Sequence, residues 1–146
     1  MTLPVIQAEV HGTPALAEPG DVRLLARGGD EVVLGSRGGK DLARYFPEMV
    51  SAVLAELPER CVVDGELVVP GEVDGRTRLN WEALSERIHP AASRVAKLSE
   101  ETPSQFIAFD LLALGDRDLT SEAFRQRRAL LRLCGGDGGW NRGWGR

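Results

Sequence analysis

Residues 61–69 read Cys61-Val-Val-Asp-Gly-Glu-Leu-Val-Val69, and residues 106–112 read Phe106-Ile-Ala-Phe-Asp-Leu-Leu112. Both are apolar runs of strand length, and each carries an acid in its middle. A charge flanked by Val, Leu, Ile and Phe costs free energy unless it meets a partner, a metal or a ligand. One such acid is ordinary; two, on separate strands of one small chain, point to a pocket lined by a sheet. Side chains alternate along a strand, so Asp64, Glu66 and Val68 share a face. Two acids spaced this way can jointly hold a divalent metal or grip a ribose hydroxyl; the alternative is a solvent-facing edge with paired acids. Gly65 between them removes a side chain from the opposite face and allows close approach. In the second run the same alternation sends Phe109 and Asp110 to opposite faces. Phe109 is then either a core ring or an aromatic able to stack a nucleobase.

Working outward, Val22-Arg-Leu-Leu-Ala-Arg27 and Glu31-Val-Val-Leu-Gly35 flank Gly28-Gly29-Asp30, the pattern of a β-hairpin. Ser36-Arg-Gly-Gly-Lys40 follows. It is rich in backbone donors and basic groups, as a phosphate-contacting loop would be, and equally fits a plain strand-to-helix turn. It is not a Walker loop: Leu34 stands at the first glycine position and Asp41 replaces Ser/Thr. Asp41 is placed to cap a helix running to about Glu56, with Leu42, Tyr45, Phe46, Met49, Val50, Val53 and Leu54 on its apolar face. Pro47 either lies in the first turns of that helix or splits off a short 3₁₀ turn.

Beyond the first acid-bearing run, Pro70-Gly71 and Asp74-Gly75 mark turns, and Asn80 can cap a helix over 81–88. A second short helix is expected over 91–99, a buried strand over 105–114 and a turn over 115–118. Thr120 or Ser121 then caps a helix to about Leu133, decorated by Arg125, Arg127, Arg128 and Arg132. Three segments result: an irregular lead-in over 1–21, a folded unit over 22–133, and a Gly/Trp/Arg-rich tail over 134–146 that is too poor in apolar residues to order itself.

The 146 residues suffice for one domain with a real core. No apolar run approaches the roughly 18–20 residues of a bilayer span. The N-terminus lacks a basic region followed by a long apolar stretch, and Cys61 and Cys134 share no metal-type spacing, so a reducing cytoplasm is expected. The net charge of −4 argues against a polyanion-binding chain as a whole, although residues 121–146 carry six Arg against Glu122 and Asp137. That basic section is either a solvated helix face plus a tail or a segment favouring polyanions.

Taken in order, four blocks resemble the adenylation domain of ATP-dependent DNA ligases, within the covalent nucleotidyltransferase superfamily, its bacterial members above all. They are Asp30-Glu-Val-Val-Leu-Gly-Ser-Arg37, Arg44-Tyr-Phe-Pro-Glu48, Leu57-Pro-Glu-Arg-Cys-Val-Val-Asp-Gly-Glu-Leu67 and Phe106–Leu114, within a similarity covering about residues 18–133. The resemblance implies an α+β fold, a partial ligase-type nucleotidyltransferase domain with an antiparallel sheet and flanking helices. It implies ATP and Mg²⁺ as cofactors, nicked double-stranded DNA as partner, a monomer, and a role in DNA repair, recombination or replication. It also implies residue roles. Glu66 would assist a metal ion or the nucleotide sugar, Phe109 would stack on adenine, Arg37 would lie in the loop contacting nucleotide or nicked DNA, and Arg23 would close the family's Lys-x-Asp-Gly-x-Arg motif.

This sequence departs from that pattern at the nucleophile. Glu18-Pro-Gly-Asp-Val-Arg23 keeps the Glu-Pro lead-in and the arginine but has no lysine between them. The chemistry needs an amine to attack the α-phosphorus of ATP, and arginine stays protonated. The only lysines are Lys40 and Lys97. The later Glu-Gly-x-x-x-Lys and Lys-x-Lys motifs are missing too, as in a truncated chain or an altered reading frame. Three expectations stand: a ligase-derived fragment that cannot complete the reaction, a non-catalytic nucleotide- or DNA-binding module, or a structural domain that kept only the fold.

Overall fold

The first hairpin turns on Gly29 and Asp30. In the computed structural model, which describes residues 6–8 and 22–134, Gly29 takes a φ of +63°, a turn conformation glycine adopts without steric cost. Ile6–Ala8 forms β1. The hairpin is β2 (Val22–Gly28) and β3 (Glu31–Ser36), followed by a 3₁₀ turn (Ala43–Tyr45) and helix α1 (Pro47–Glu56). Next come β4 (Arg60–Val68), a small hairpin of β5 (Pro70–Val73) and β6 (Arg76–Leu79), α2 (Trp81–Glu86) and α3 (Ala92–Glu101). Then follow β7 (Gln105–Leu114), the short β8 (Arg117–Asp118) and α4 (Phe124–Cys134).

The main sheet runs β1-β7-β4-β2-β3, with β8 paired to β7. The two acid-bearing runs, β4 and β7, are therefore neighbours at its centre. All pairings are antiparallel except β1 with β7. Residues 6–8 thus form a parallel edge strand within the stretch expected to be an irregular lead-in. The expected tail over 134–146 begins on Cys134, the last residue of α4, and otherwise lies outside the described residues.

One face of the sheet builds the core. Leu25, Leu34, Val63, Leu67, Phe106 and Leu111 are fully buried there with Met49 and Val53 of α1. The start of α1 differs from the Asp41-capped helix. Asp41 Oδ1 accepts from Leu34 N (3.1 Å) and Ala43 N (3.0 Å), tying β3 to the 3₁₀ turn, and α1 starts at Pro47. Proline disfavours helical geometry in the residue before it and suits the first helical position, so the helix cannot extend back to Asp41. The other end of α1 is held by Arg27 of β2, whose Nη1 donates to the carbonyls of Leu54 (3.2 Å) and Leu57 (2.6 Å). A cation at a helix C-terminus contributes about 0.3–1 kcal/mol, and more where partly buried. Asn80 caps α2 as expected, its Oδ1 accepting from Ala83 N at 3.0 Å.

Beneath α1, the helices are clamped by an ion pair. Arg87 is fully buried and meets both carboxylate oxygens of Glu48 at 2.7 Å. Arg87 also donates to the carbonyls of Tyr45 (2.9 Å) and Thr102 (2.8 Å), while Glu48 accepts from Ser104 N and Oγ at 2.8 Å. The network joins α1, the end of α2, the end of α3 and the entry to β7. Glu48 of the Arg44–Glu48 block is therefore a structural carboxylate.

Candidate functional site

The opposite face of the sheet carries the charged groups, and bulges aim them. The β4–β7 register steps from Asp64↔Asp110 to Gly65↔Ala108, which leaves Phe109 as the extra residue of β7. A bulge interrupts strict alternation. Ala108 and Leu111 are both fully buried in the core, and between them Phe109 and Asp110 are half-buried and both turned from it. The expectation that Phe109 and Asp110 point to opposite faces is thereby corrected, because one inserted residue resets the period. β2 repeats the device. Its register shifts between Val22 and Leu24, leaving Arg23 as the extra residue between buried Val22 and Leu25.

β4 keeps its alternation, with Cys61, Val63 and Leu67 in the core and Asp64 and Glu66 on the other face. Gly65 is essential to that arrangement. A Cβ there would stand 2.2 Å from the Ile107 carbonyl oxygen and 2.6 Å from the Phe106 ring. The glycine of the Asp-Gly-Glu block lets β7 and the core ring close onto β4.

Cross-strand pairing sets the electrostatics. Leu24, Asp64 and Asp110 lie directly opposite one another on three adjacent strands. Burial pushes the Asp64 carboxyl above its usual range, the Asp110 charge adds to this, and Arg23 pulls it back. Asp110 has its own counter-ion, Arg127 Nε of α4 at 2.8 Å. Glu66 is 1% exposed and sits opposite Ile107. Among the described residues no group of three or more His, Cys, Asp and Glu is arranged to hold a metal ion.

Arg37 lies apart, exposed at the tip of the 36–40 loop. That loop is less of a backbone cradle than its composition promises. Ser36 N donates to Lys40 O (2.7 Å), Gly39 N to Ser36 O (2.9 Å) and Lys40 N to Ser36 Oγ (3.0 Å). Three of its five backbone donors are used within the turn. Lys97 pairs with Glu101 on the surface of α3 at 3.7 Å.

Sequence reasoning missed two sets of residues. Glu48 and Arg87 come together only in three dimensions. Arg127 and Arg128, expected as surface decoration, instead engage β7. A signal for them existed: Asp110 is an acid in an apolar strand, and the next basic element is α4.

A bulged sheet, antiparallel except for β1 and flanked by helices, with ionisable groups gathered on β4 and β7, makes this an α+β domain. A family model described as ATP dependent DNA ligase domain matches residues 22–134. DNA ligase C1 of Mycolicibacterium smegmatis is 62% identical over 108 residues, which is 74% of this chain and 31% of that protein. DNA ligase C of Mycobacterium tuberculosis is 55% identical over 105 residues, 72% of this chain and 28% of that protein. Among solved structures, the ligase domain from M. tuberculosis LigD aligns with a TM-score of 0.50 at 28% identity, covering 89% of this chain and 41% of that one. A mycobacterial DNA ligase D complexed with ATP and MES shares the fold, with a TM-score of 0.52 at 22% identity over 88% of this chain and 42% of that one. The chain belongs to the ATP-dependent DNA ligase family. It spans about a third of the length of the curated relatives it matches, 31% of one and 28% of another. No helix among the described residues is long and apolar enough to cross a membrane.

Proposed function

We propose that residues 22–133 are the nucleotide-recognising part of a ligase adenylation domain, and that this chain binds an adenine nucleotide without becoming adenylated. In ATP-dependent ligation, a lysine takes AMP from ATP, AMP passes to the 5′-phosphate at a nick, and the 3′-hydroxyl seals it. The observation that carries the reading is the pair of bulges. They turn Arg23 and Phe109 onto the sheet face that also bears Asp64 and Glu66.

In this reading Phe109 stacks on adenine, Glu66 grips the ribose or assists a metal, Arg23 meets phosphate, and Arg37 reaches nucleotide or nicked DNA. The donor set fits Mg²⁺ held in its usual manner, through one or two carboxylates plus the phosphates of a bound nucleotide, rather than in an all-protein cage. When bound, Mg²⁺ would neutralise phosphate charge; Asp64 and Glu66 are the carboxylates on that face. Asp110 is taken by Arg127 and serves as an anchor. The segment Glu18–Arg23 supplies no amine, so the first chemical step has no nucleophile there.

Thermal unfolding with ATP and Mg²⁺ tests the reading. ATP should raise the unfolding temperature of the wild-type chain, and Phe109→Ala and Glu66→Ala should each abolish the rise. An ATP effect that survives both substitutions, or none in the wild type, contradicts it. A DNA-binding role has less support, since two of the four α4 arginines are engaged on β7 and, within α4, Arg125 and Arg132 are the exposed ones. Binding to nicked duplex that fails to weaken with salt would count against that role.

A further inference from the structure

The two bulges of β7 are held in different ways. The register also shifts between Val62 and Val63, which leaves Leu112 as a second extra residue; its carbonyl accepts from Leu119 N at 2.9 Å, a backbone bond. The Phe109 carbonyl instead accepts from a side chain, Arg128 Nη1 of α4, at 3.3 Å. The next residue, Asp110, is gripped by Arg127 Nε at 2.8 Å, and Arg127 Nη1 is itself fixed on the Glu122 carbonyl at 2.6 Å. Both guanidinium groups lie over the Phe124 ring, at 5.4 and 5.7 Å from its centre. Phe124 is 52% exposed, and its ring supports the two arginines rather than the core. Consecutive arginines thus clamp consecutive residues of one bulge.

We propose that Arg128, with Arg127 beside it, is a positioning residue for Phe109: the pair fixes the bulge and so sets the direction in which the ring faces a nucleotide. This rests on the reading of Phe109 as the adenine-stacking ring. Neither arginine need touch the ligand. The physical basis is that a bulge frees a backbone carbonyl from the ladder, and a freed carbonyl leaves the strand several alternative settings unless a donor holds it. A charged donor holds it more firmly than a neutral one.

The test compares the wild-type chain with Arg128→Met, Arg128→Lys, Arg127→Met and Phe109→Ala. In nucleotide-free protein, Arg128→Met should speed amide exchange at residues 107–111 at least tenfold and shift the Phe109 ring resonances. Amides of the β2–β4 pairing should stay within twofold, as a merely structural role would not allow. Arg128→Lys keeps a charged donor and should restore most of the protection. With AMP as the probe, Arg128→Met and Phe109→Ala should each weaken binding, and the double variant should be little worse than either alone. Unchanged exchange and ring signals in Arg128→Met would overturn the proposal, as would exchange that rises equally across the whole sheet. If Arg128→Met does not fold, faster exchange at residues 107–111 and shifted Phe109 ring signals in Arg127→Met, with Arg128→Lys close to wild type, support the proposal, and wild-type exchange and ring signals in Arg127→Met overturn it. A wild-type chain that shows no response to AMP would refute the nucleotide reading alone, because the exchange measurements need no ligand.

Discussion

Replacing Gly65 with alanine tests the close packing of β7 against β4. Gly65 has no positive φ, so alanine can adopt its backbone conformation. On that ground alone the change would stabilise the chain by about 0.4–1 kcal/mol, through a less flexible unfolded state. Against this stand two obstacles: the Ile107 carbonyl oxygen at 2.2 Å and the Phe106 ring at 2.6 Å from the new methyl group. The first is backbone within the β4–β7 ladder, and the second belongs to a side chain with no exposed surface, so neither can swing aside. Overpacking costs about 1–3 kcal/mol, and a clash with backbone belongs at the upper end of that range. The net expectation is a loss of about 2 kcal/mol, roughly a thirtyfold fall in the folded-to-unfolded ratio. Urea unfolding followed by circular dichroism should show a lower midpoint at an unchanged slope. A midpoint equal to or above wild type would refute the close-approach reasoning, since only the unfolded-state gain would then remain.

Two further predictions concern charge. Glu48→Ala strands the fully buried Arg87 and should cost about 3–5 kcal/mol in chemical denaturation, while a double replacement of Glu48 and Arg87 by apolar residues of similar size should recover much of the loss; a change in Glu48→Ala comparable to a surface substitution would contradict this. For Asp64 the sign follows from its raised pKa. The folded state holds the proton more tightly than the unfolded chain, whose Asp titrates near about 3.9. The residue therefore costs nothing at lower pH, and its cost grows as pH rises through the folded pKa. Asp64→Asn removes that cost, so its stability relative to wild type should climb as pH rises above about 4 and level off once the folded-state carboxyl has ionised. A relative stability that is flat with pH, or climbs towards acid, would be inconsistent with the burial of Asp64, to which the Asp110 charge only adds.

Much of the fold was legible because apolar periodicity and turn residues act locally. The β2–β3 hairpin, β4, β7 and the Asn80 cap follow directly from such signals. The limits were also physical. The bulges depend on the register between strands, which no single strand encodes, so the alternation rule misplaced Phe109 relative to Asp110. The Glu48–Arg87 clamp joins residues 39 apart in sequence, and neither looks unusual alone. The 36–40 loop had the composition of an anion cradle, but its short span lets its donors satisfy its own carbonyl and hydroxyl groups. For the site, the Asp-Gly-Glu block revealed its acids and the need for Gly65. It was the fold that paired Asp110 with Arg127 and brought the α4 arginines against β7.

The most direct measurement is incubation of the chain with α-labelled ATP and Mg²⁺, followed by denaturing electrophoresis. With no lysine in the Glu18–Arg23 segment, Lys40 exposed in its loop and Lys97 paired with Glu101 on the surface of α3, no label should remain on the polypeptide. A covalent, acid-labile AMP adduct would contradict the proposal that this chain binds the nucleotide but has no amine with which to attack it.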